Sequence, residues 1–124
     1  MIKNLILVFI GGGLGSSLRY LIGRYLNAES LIPYGTFLVN VLGSLLIGII
    51  LGWSLKNDSL NSPLNFILGI GFCGGFTTFS SFSFENYSLL KTGDYWAFSL
   101  YFFGSLFLGI MAVLTGILIS KLIP

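Results

Sequence analysis

Long apolar stretches dominate the chain, and short polar segments separate them. A bilayer core takes roughly 20 residues of helix, and four stretches of about that length are present. The polar segments between them are short, so consecutive helices should be antiparallel neighbours. The pattern predicts an all-α membrane protein, in which residues 1–124 form a single four-helix transmembrane domain. The predicted spans run from about Asn4 to Leu26, Pro33 to Leu55, Leu64 to Leu90, and Tyr95 to Leu122.

Composition supports this fold class and excludes most catalytic chemistry. Hydrophobic residues make up 55% of the chain and charged residues only 8%, whereas about a quarter of a soluble domain is charged. With one cysteine and no histidine, there is no catalytic triad, zinc cluster or disulfide framework. The net charge of +2 is small and unclustered, so nothing indicates nucleic acid. We expect a multi-pass protein of the cell membrane (inner or plasma membrane) that is not an enzyme.

Glycines recur along the predicted spans. The first span contains Gly11-Gly12-Gly13-x-Gly15. A dinucleotide-binding loop is a poor interpretation, because no strand precedes the run and no acidic residue follows at the required spacing. Close helix contact through small residues, including Gly11-x-x-x-Gly15, explains it better. The same interpretation extends to glycines in spans two and four: Gly43, Gly48, Gly52, Gly104, Gly109 and Gly116.

The third span is interrupted in its middle, within Gly71 to Phe84. Adjacent glycines, Gly74 and Gly75, disfavour a helix interior, so we predict a break over Gly74–Thr78. A broken helix inside a membrane must satisfy its freed backbone groups with polar partners. The phenylalanines Phe79 and Phe82 are three apart and share a helix face. Five hydroxyls follow the glycines within seven residues: Thr77, Thr78, Ser80, Ser81 and Ser83.

A few polar residues lie inside the other apolar runs, where they are costly and therefore informative. Arg19 in span one could snorkel to the interface or draw anions into a vestibule. Asn40 in span two could form interhelical hydrogen bonds or serve a site. Glu85 could lie near the water boundary or be held by the hydroxyls. Tyr101 and Ser105 are four apart and share one face of span four.

The basic residues are divided evenly between the two membrane sides. Three fall on each side if there are four spans, and the positive-inside rule needs an imbalance to set orientation. A chain without that imbalance can insert both ways, and the natural assembly of its copies is an antiparallel homodimer with a two-fold axis in the membrane plane. One side carries Lys3, Lys56 and Lys121, and the other carries Arg19, Arg24 and Lys91.

Three motifs occur along the chain: Gly12-Gly13-x-Gly15 with Arg19-Tyr20, then Gly35-Thr36-x-x-x-Asn40-x-x-Gly43, then Gly71-Phe72-Cys73-Gly74-Gly75-Phe76-Thr77-Thr78-Phe79-Ser80-Ser81-Phe82-Ser83. In this order they resemble the Fluc (CrcB) family of fluoride channels, and the resemblance covers nearly the whole chain. It implies a dual-topology homodimer with two pores, fluoride as the permeant ion, and a structural sodium ion at the dimer centre.

The resemblance also implies roles for individual residues. The backbone carbonyls of Gly74 and Thr77, from two subunits, would hold the sodium ion, and Arg19 and Thr36 would line a vestibule. The chain departs from the family at Gly109, where some members carry serine; this weakens a hydroxyl track along span four. The residues matching the pore and its fluoride contacts are Asn40, Phe79, Phe82, Ser80, Thr78, Tyr101 and Ser105.

The implied function is passive export of fluoride from the cytoplasm down its electrochemical gradient, which reduces fluoride toxicity. Fluoride holds water strongly, so a selective path must offer replacement donors without binding too tightly, and phenylalanine ring edges are weakly positive. The rival is a small multidrug-resistance-type exporter that couples cation export to protons. It needs an intramembrane carboxylate, yet no Asp or Glu precedes Glu29, and Glu85 is the only candidate. A third alternative is a membrane subunit that transports nothing. In such a protein, the hydroxyls and Asn40 would have packing roles alone.

Overall fold

The computed structural model describes residues 1–124, and four helical spans account for most of them. Each is long and apolar enough to cross a membrane, and no strand is present. The predicted fold class is therefore confirmed, with span ends within a few residues of those expected from the sequence. The spans are α1 (Ile2–Leu26), α2 (Tyr34–Lys56), a segmented third span (Asn65–Lys91) and the last helix (Tyr95–Ser120).

The third span consists of three helical segments and one break. A π-helix, Asn65–Cys73, runs directly into the single turn α3, Gly74–Phe76, and α4 then occupies Phe79–Lys91. The last helix is α5, Tyr95–Ser120. The backbone is extended at the two residues between α3 and α4, with φ −85° and ψ 158° at the first and φ −151° and ψ 120° at the second. A π-helix is rare and often marks a functional site.

The break lies inside the predicted interval, but threonines form it and glycines do not. Gly74 and Gly75 remain helical, and the extended residues are Thr77 and Thr78. The Thr78 side chain stabilises the restart, because its Oγ1 accepts a hydrogen bond of 3.2 Å from the Ser81 N–H as a helix N-cap does. The capping hydroxyl thus decides where α4 begins, whereas Gly75 serves packing and a Cβ on Gly74 would meet nothing within 4 Å.

Glycines of both elements let α1 lie directly on the backbone of the third span. A Cβ on Gly11 would lie 2.0 Å from Ile67 O, and one on Gly15 would lie 2.2 Å from Phe72 O. A Cβ on Gly75 would meet Gly12 O at 2.4 Å. Any side chain at these positions would push the helices apart. The predicted close contact through small residues is therefore confirmed for span one.

A second close contact joins α2 and α5. A Cβ on Gly48 would lie 2.4 Å from Val113 O, and one on Gly116 would lie 2.3 Å from Leu45 O. The expectation fails for Gly104, since a Cβ there would meet nothing within 4 Å. It also fails for Gly109, whose Cβ would make only an ordinary contact of 3.8 Å. Gly104 and Gly109 are not needed for packing within one chain.

Few side chains are buried in the single chain. Only 22 of 124 residues are buried, and the helices present large apolar side chains outward, as expected where lipid or another chain replaces water. The main side-chain core lies between α4 and α5 and contains Phe82, Leu89, Ala97 and Tyr101. This core fixes α4, and with it the restart after the break, against the last helix.

Two connections position the helix ends. Gly93 adopts φ 79° in the turn before α5, a backbone conformation that glycine adopts at little cost. At the opposite end, the Lys56 ammonium donates to Ser120 O over 2.9 Å and also to Ile123 O. Lys56 therefore lies at the same end of the bundle as Lys121, as the alternation of the spans predicts.

Candidate functional site

An open groove of about 610 Å³ lies along the break of the third span, between α2 and α5. Apolar and polar residues share its wall, and the break supplies several of them. Four other predicted site residues, Arg19, Thr36, Ser80 and Tyr101, are not part of the wall. The predicted site residues that line the groove are Asn40, Gly74, Thr77, Thr78, Phe79, Phe82 and Ser105.

Asn40 of α2 holds the extended backbone at the break. Its Oδ1 accepts a hydrogen bond of 2.8 Å from the Thr78 N–H, and its Nδ2 donates to Thr78 O over 3.2 Å. The interhelical hydrogen bond considered from the sequence is thus present. An asparagine amide has two N–H donors, and only one is engaged here. The other N–H leaves a donor available at the groove wall.

Two backbone carbonyls at the break lose their usual helical donors. In a continuous helix, Gly74 O would accept from the Thr78 N–H and Thr77 O from the Ser81 N–H. The Thr78 N–H instead donates to Asn40 and the Ser81 N–H to Thr78 Oγ1. Gly74 is also exposed on this face. Freed carbonyl oxygens of a broken membrane helix are suitable ligands for a hard cation.

Arg19 reaches the break from α1. Its Nε donates to Gly75 O over 2.9 Å, which satisfies a further carbonyl just before the extended residues. The terminal guanidinium nitrogens have no protein partner, and the side chain is half-buried. Arg19 therefore does not simply snorkel outward. It braces the broken helix and places an unpaired positive charge close to it.

Glu85 of α4 lies within the membrane span and is held by two hydroxyl donors. Thr36 Oγ1 donates to Oε2 over 2.7 Å, and Tyr101 OH donates to Oε1 over 2.8 Å. The hydroxyls that hold the carboxylate belong to α2 and α5, and not to the hydroxyl-rich stretch of the third span that was considered from the sequence. The Tyr101 proton is engaged by Glu85, and its ring is buried in the α4–α5 core.

Asn27 extends this network and was missed by the sequence analysis. Its Nδ2 donates to Thr36 Oγ1 over 3.2 Å, and its Oδ1 accepts from the Gly35 N–H over 2.7 Å and from the Thr36 N–H over 3.2 Å. Asn27 therefore caps the start of α2 from the end of α1. The signal in the sequence was weak, because eight residues separate Asn27 from Gly35 and local capping motifs are shorter.

The two predicted pore phenylalanines occupy very different environments. Phe82 is only 5% exposed, whereas Phe79 is 79% exposed, although their ring centroids lie 6.2 Å apart. Phe82 packs against Tyr101, with centroids 5.2 Å apart, and stacks on Phe102 at 5.9 Å. Phe82 is thus anchored in the core while Phe79 projects from the open side of the groove.

The remaining predicted hydroxyls lie near the break and on α5. Thr78 Oγ1 and Ser80 Oγ are 3.2 Å apart and share one hydrogen bond, and Ser80 is exposed. Ser105 Oγ is buried without any hydrogen-bond partner. A buried hydroxyl without a partner costs stability, so Ser105 indicates that a polar group belongs opposite it. Ser105 is the predicted site residue with the clearest unmet hydrogen bond.

Four spans, three of which line a groove of mixed polarity at a broken helix, define a multi-pass membrane protein of the channel and transporter class. A family model described as CrcB-like protein, Camphor Resistance (CrcB) matches residues 6–117. The chain belongs to this family, as its motifs indicated, and is a protein of the cell membrane.

Similar proteins cover almost the full length of the chain. A protein of Phocaeicola vulgatus is 47% identical over 121 residues, which are 96% of this chain and 99% of that protein. A protein of Flavobacterium psychrophilum is 44% identical over 121 residues, covering 96% and 98%. One from Gloeothece citriformis is 45% identical over 120 residues, covering 95% and 97%. All three carry the name fluoride-specific ion channel FluC, a name for a channel and not for an enzyme.

Proposed function

We propose that this protein is a passive, fluoride-selective channel that exports fluoride from the cytoplasm and so limits fluoride toxicity. The observation that carries the proposal is the near full-length similarity to proteins named fluoride-specific ion channels. The groove supports it, since hydrogen-bond donors and phenylalanine rings meet there. The chain has no group of three His, Cys, Asp or Glu residues that could hold a metal ion. An inside-negative membrane potential assists anion exit, so no energy source is required.

The donors at the groove suit a small, strongly hydrated anion. The second N–H of Asn40 and the hydroxyls of Thr78 and Ser105 on the groove wall, with Ser80 Oγ next to Thr78 Oγ1, can replace water around fluoride at short range. The positive ring edges of Phe79 and Phe82 offer weaker contacts, which favour passage over trapping. Arg19 adds an unpaired positive charge near the break. Thr36 is not part of the groove wall and donates its hydroxyl to Glu85.

The working unit in this proposal is an antiparallel homodimer with two pores. The groove is open in a single chain, Phe79 projects from it, and Gly74 is exposed at its edge. A second copy would cover these groups and close the groove into a pore. The even division of Lys and Arg between the two sides supports opposite insertion of the two copies.

A structural sodium ion at the dimer centre fits the chemistry of the break. Gly74 O and Thr77 O, from each of two subunits, would hold it, because their usual helical donors are engaged by Asn40 and Thr78. Bound there, the cation would supply positive charge to two broken helices that meet at the axis. Backbone carbonyls need no acidic ligand cluster for this purpose.

Efflux from liposomes tests the function. Purified protein is reconstituted with internal potassium fluoride, and efflux is followed with a fluoride electrode after valinomycin addition. We expect rapid fluoride release and no chloride release in parallel vesicles. Equal release of both anions would contradict selectivity, and no fluoride release above protein-free vesicles would contradict the function.

A growth assay separates the proposal from the multidrug exporter. Expression in cells that lack their own fluoride exporter should restore growth in fluoride. Resistance to quaternary ammonium compounds without fluoride resistance would favour the exporter, with Glu85 as its intramembrane carboxylate.

A further inference from the structure

Ser44 lies one helical turn after Asn40 on α2 and had no role in the sequence analysis. Residues four apart share a helix face, and both Asn40 and Ser44 line the groove. On the facing helix α5, Ser105 and Gly109 are also four apart and line the same groove. Two pairs of residues, one on α2 and one on α5, therefore face each other across the groove. Three of the four residues carry a polar side chain, and the fourth, Gly109, carries none.

The structure places the Ser44 hydroxyl at this gap. A Cβ added to Gly109 would lie 3.8 Å from Ser44 Oγ and would meet no other heavy atom within 4 Å. This is an ordinary van der Waals distance. The hydroxyl of α2 thus occupies the region that a small polar side chain at position 109 would face, and a side chain at 109 could be accommodated without moving a helix.

Ser44 also differs from the five helix hydroxyls that donate back to their own helix. The usual arrangement inside a membrane helix is donation to a backbone carbonyl one turn earlier. Ser44 Oγ and Ser105 Oγ make no such bond, and both lie on the groove. The helix hydroxyls that do donate backward are Ser16, Ser88, Ser99, Thr115 and Ser120.

We infer that Ser44 supplies a hydroxyl donor to the anion path at the level where α5 carries Gly109. The inference rests on the proposed fluoride function and extends its site by one residue. The path would run past Asn40 and Ser44 on one wall and Ser105 on the other. Ser44 thus offers a hydroxyl from α2 at the level where α5 offers none.

The test removes the hydroxyl from one helix and returns it on the other. Ser44→Ala keeps the Cβ and removes only the donor, so we expect fluoride efflux to fall by about tenfold or more, since a hydrogen bond to a charged group is being lost. Adding Gly109→Ser to Ser44→Ala should restore most of the flux. The matched control, Ser44→Ala with Gly109→Ala, adds the same Cβ without a hydroxyl and should restore none.

Gel filtration separates effects on assembly from effects on conduction. All variants should migrate as wild type in gel filtration, because no close contact is made at either position. If wild type conducts fluoride and Ser44→Ala conducts equally, the inference is overturned while the proposed function stands. Equal rescue by Gly109→Ser and Gly109→Ala would also overturn it, since packing alone would then explain the loss. If wild type itself fails to conduct, both proposals fall.

Discussion

The two halves of the third span are held in place by different means. The π-helix and α3 lie on α1 through backbone contacts at Gly11 and Gly15, where no side chain intervenes. Beyond the break, α4 is held by side chains, with Asn40 on the Thr78 backbone and Thr36 and Tyr101 on Glu85. The first half is thus fixed mainly by backbone contact, with one hydrogen bond from Arg19 to Gly75 O, whereas the second is fixed by the α4–α5 core and by directed hydrogen bonds.

This difference separates the scaffold from the site. Backbone contact tolerates no added atom but carries little chemical information, so the first half serves as a fixed support. Hydrogen bonds from other spans position the groups around the groove, and changing one donor alters the site without moving a helix. Substitutions in the first half should therefore affect folding first, and substitutions of donors at the groove, such as Asn40, should affect conduction first.

The largest expected effect is on the scaffold. Gly15→Ala would bring a Cβ to 2.2 Å from Phe72 O, and since backbone must shift to admit it, we expect a loss of about 3 kcal/mol in the free energy of unfolding. Unfolding in a detergent titration measures this. Gly13→Ala is the matched control, because nothing lies within 4 Å of its Cβ. Equal stability of the two variants would contradict the role of backbone contact.

Asn40→Asp should have the next largest effect, and it should fall on conduction. The carboxylate can still accept from the Thr78 N–H but cannot donate to Thr78 O, and it places a negative charge at the groove. Repulsion between two unit charges 4 Å apart is about 4 kcal/mol at an effective dielectric constant of 20, so we expect fluoride efflux to fall by at least about a hundredfold.

The same liposome assay checks Asn40→Asp against Asn61→Asp, which adds an equal charge at an exposed position in the loop after α2. Asn61→Asp should conduct like wild type. A similar loss in both variants would show that net charge, and not the position of Asn40, controls flux.

Much of the fold of the third span could be predicted from the sequence. What could not be predicted has physical causes. Span lengths and the break follow from apolar length and local residue type, and both are local properties. The exact position of the break could not be predicted, because Asn40, 38 residues away from Thr78, supplies its hydrogen bonds. Likewise, the contacts of Glu85 depend on hydroxyls from α2 and α5 that only the packed bundle brings together.

The site residues divide in the same way. Asn40, Phe79 and Ser105 could be singled out because polar or motif residues inside apolar runs are conspicuous. Asn27 could not, since its loop position gave no reason to connect it with Thr36. Ser44 was overlooked because serine is common in membrane helices, and only the gap at Gly109 on the facing helix distinguishes it.

Smaller effects are expected from substitutions of the phenylalanine pair, Phe79 and Phe82. Phe82→Ile removes ring contacts with Tyr101 and Phe102 in the core, so we expect a loss of about 2 kcal/mol in the free energy of unfolding. Phe79→Ile should cost much less in a single chain, because this ring is 79% exposed. Both variants should conduct fluoride more slowly while the proposed dimer stays assembled. Unchanged efflux in both would contradict their assignment to the pore.

The smallest effect is expected when one of the two donors to Glu85 is removed. Tyr101→Phe keeps the ring in the α4–α5 core and deletes only the hydroxyl that donates to Oε1 over 2.8 Å. Thr36 still donates to the other oxygen, so we expect a loss of about 1.5 kcal/mol in the free energy of unfolding. Tyr87→Phe is the control, since that tyrosine is 57% exposed and its hydroxyl makes no hydrogen bond in the chain.

A double-mutant cycle with Glu85→Gln decides whether this loss arises from the hydrogen bond. If Tyr101 stabilises α4 through the carboxylate, Tyr101→Phe should cost clearly less in the Glu85→Gln background than in wild type, because the charged acceptor is already gone. Equal costs in the two backgrounds would place the contribution of Tyr101 in its ring packing. The second half of the span would then be held by packing at this point, as the first half mainly is.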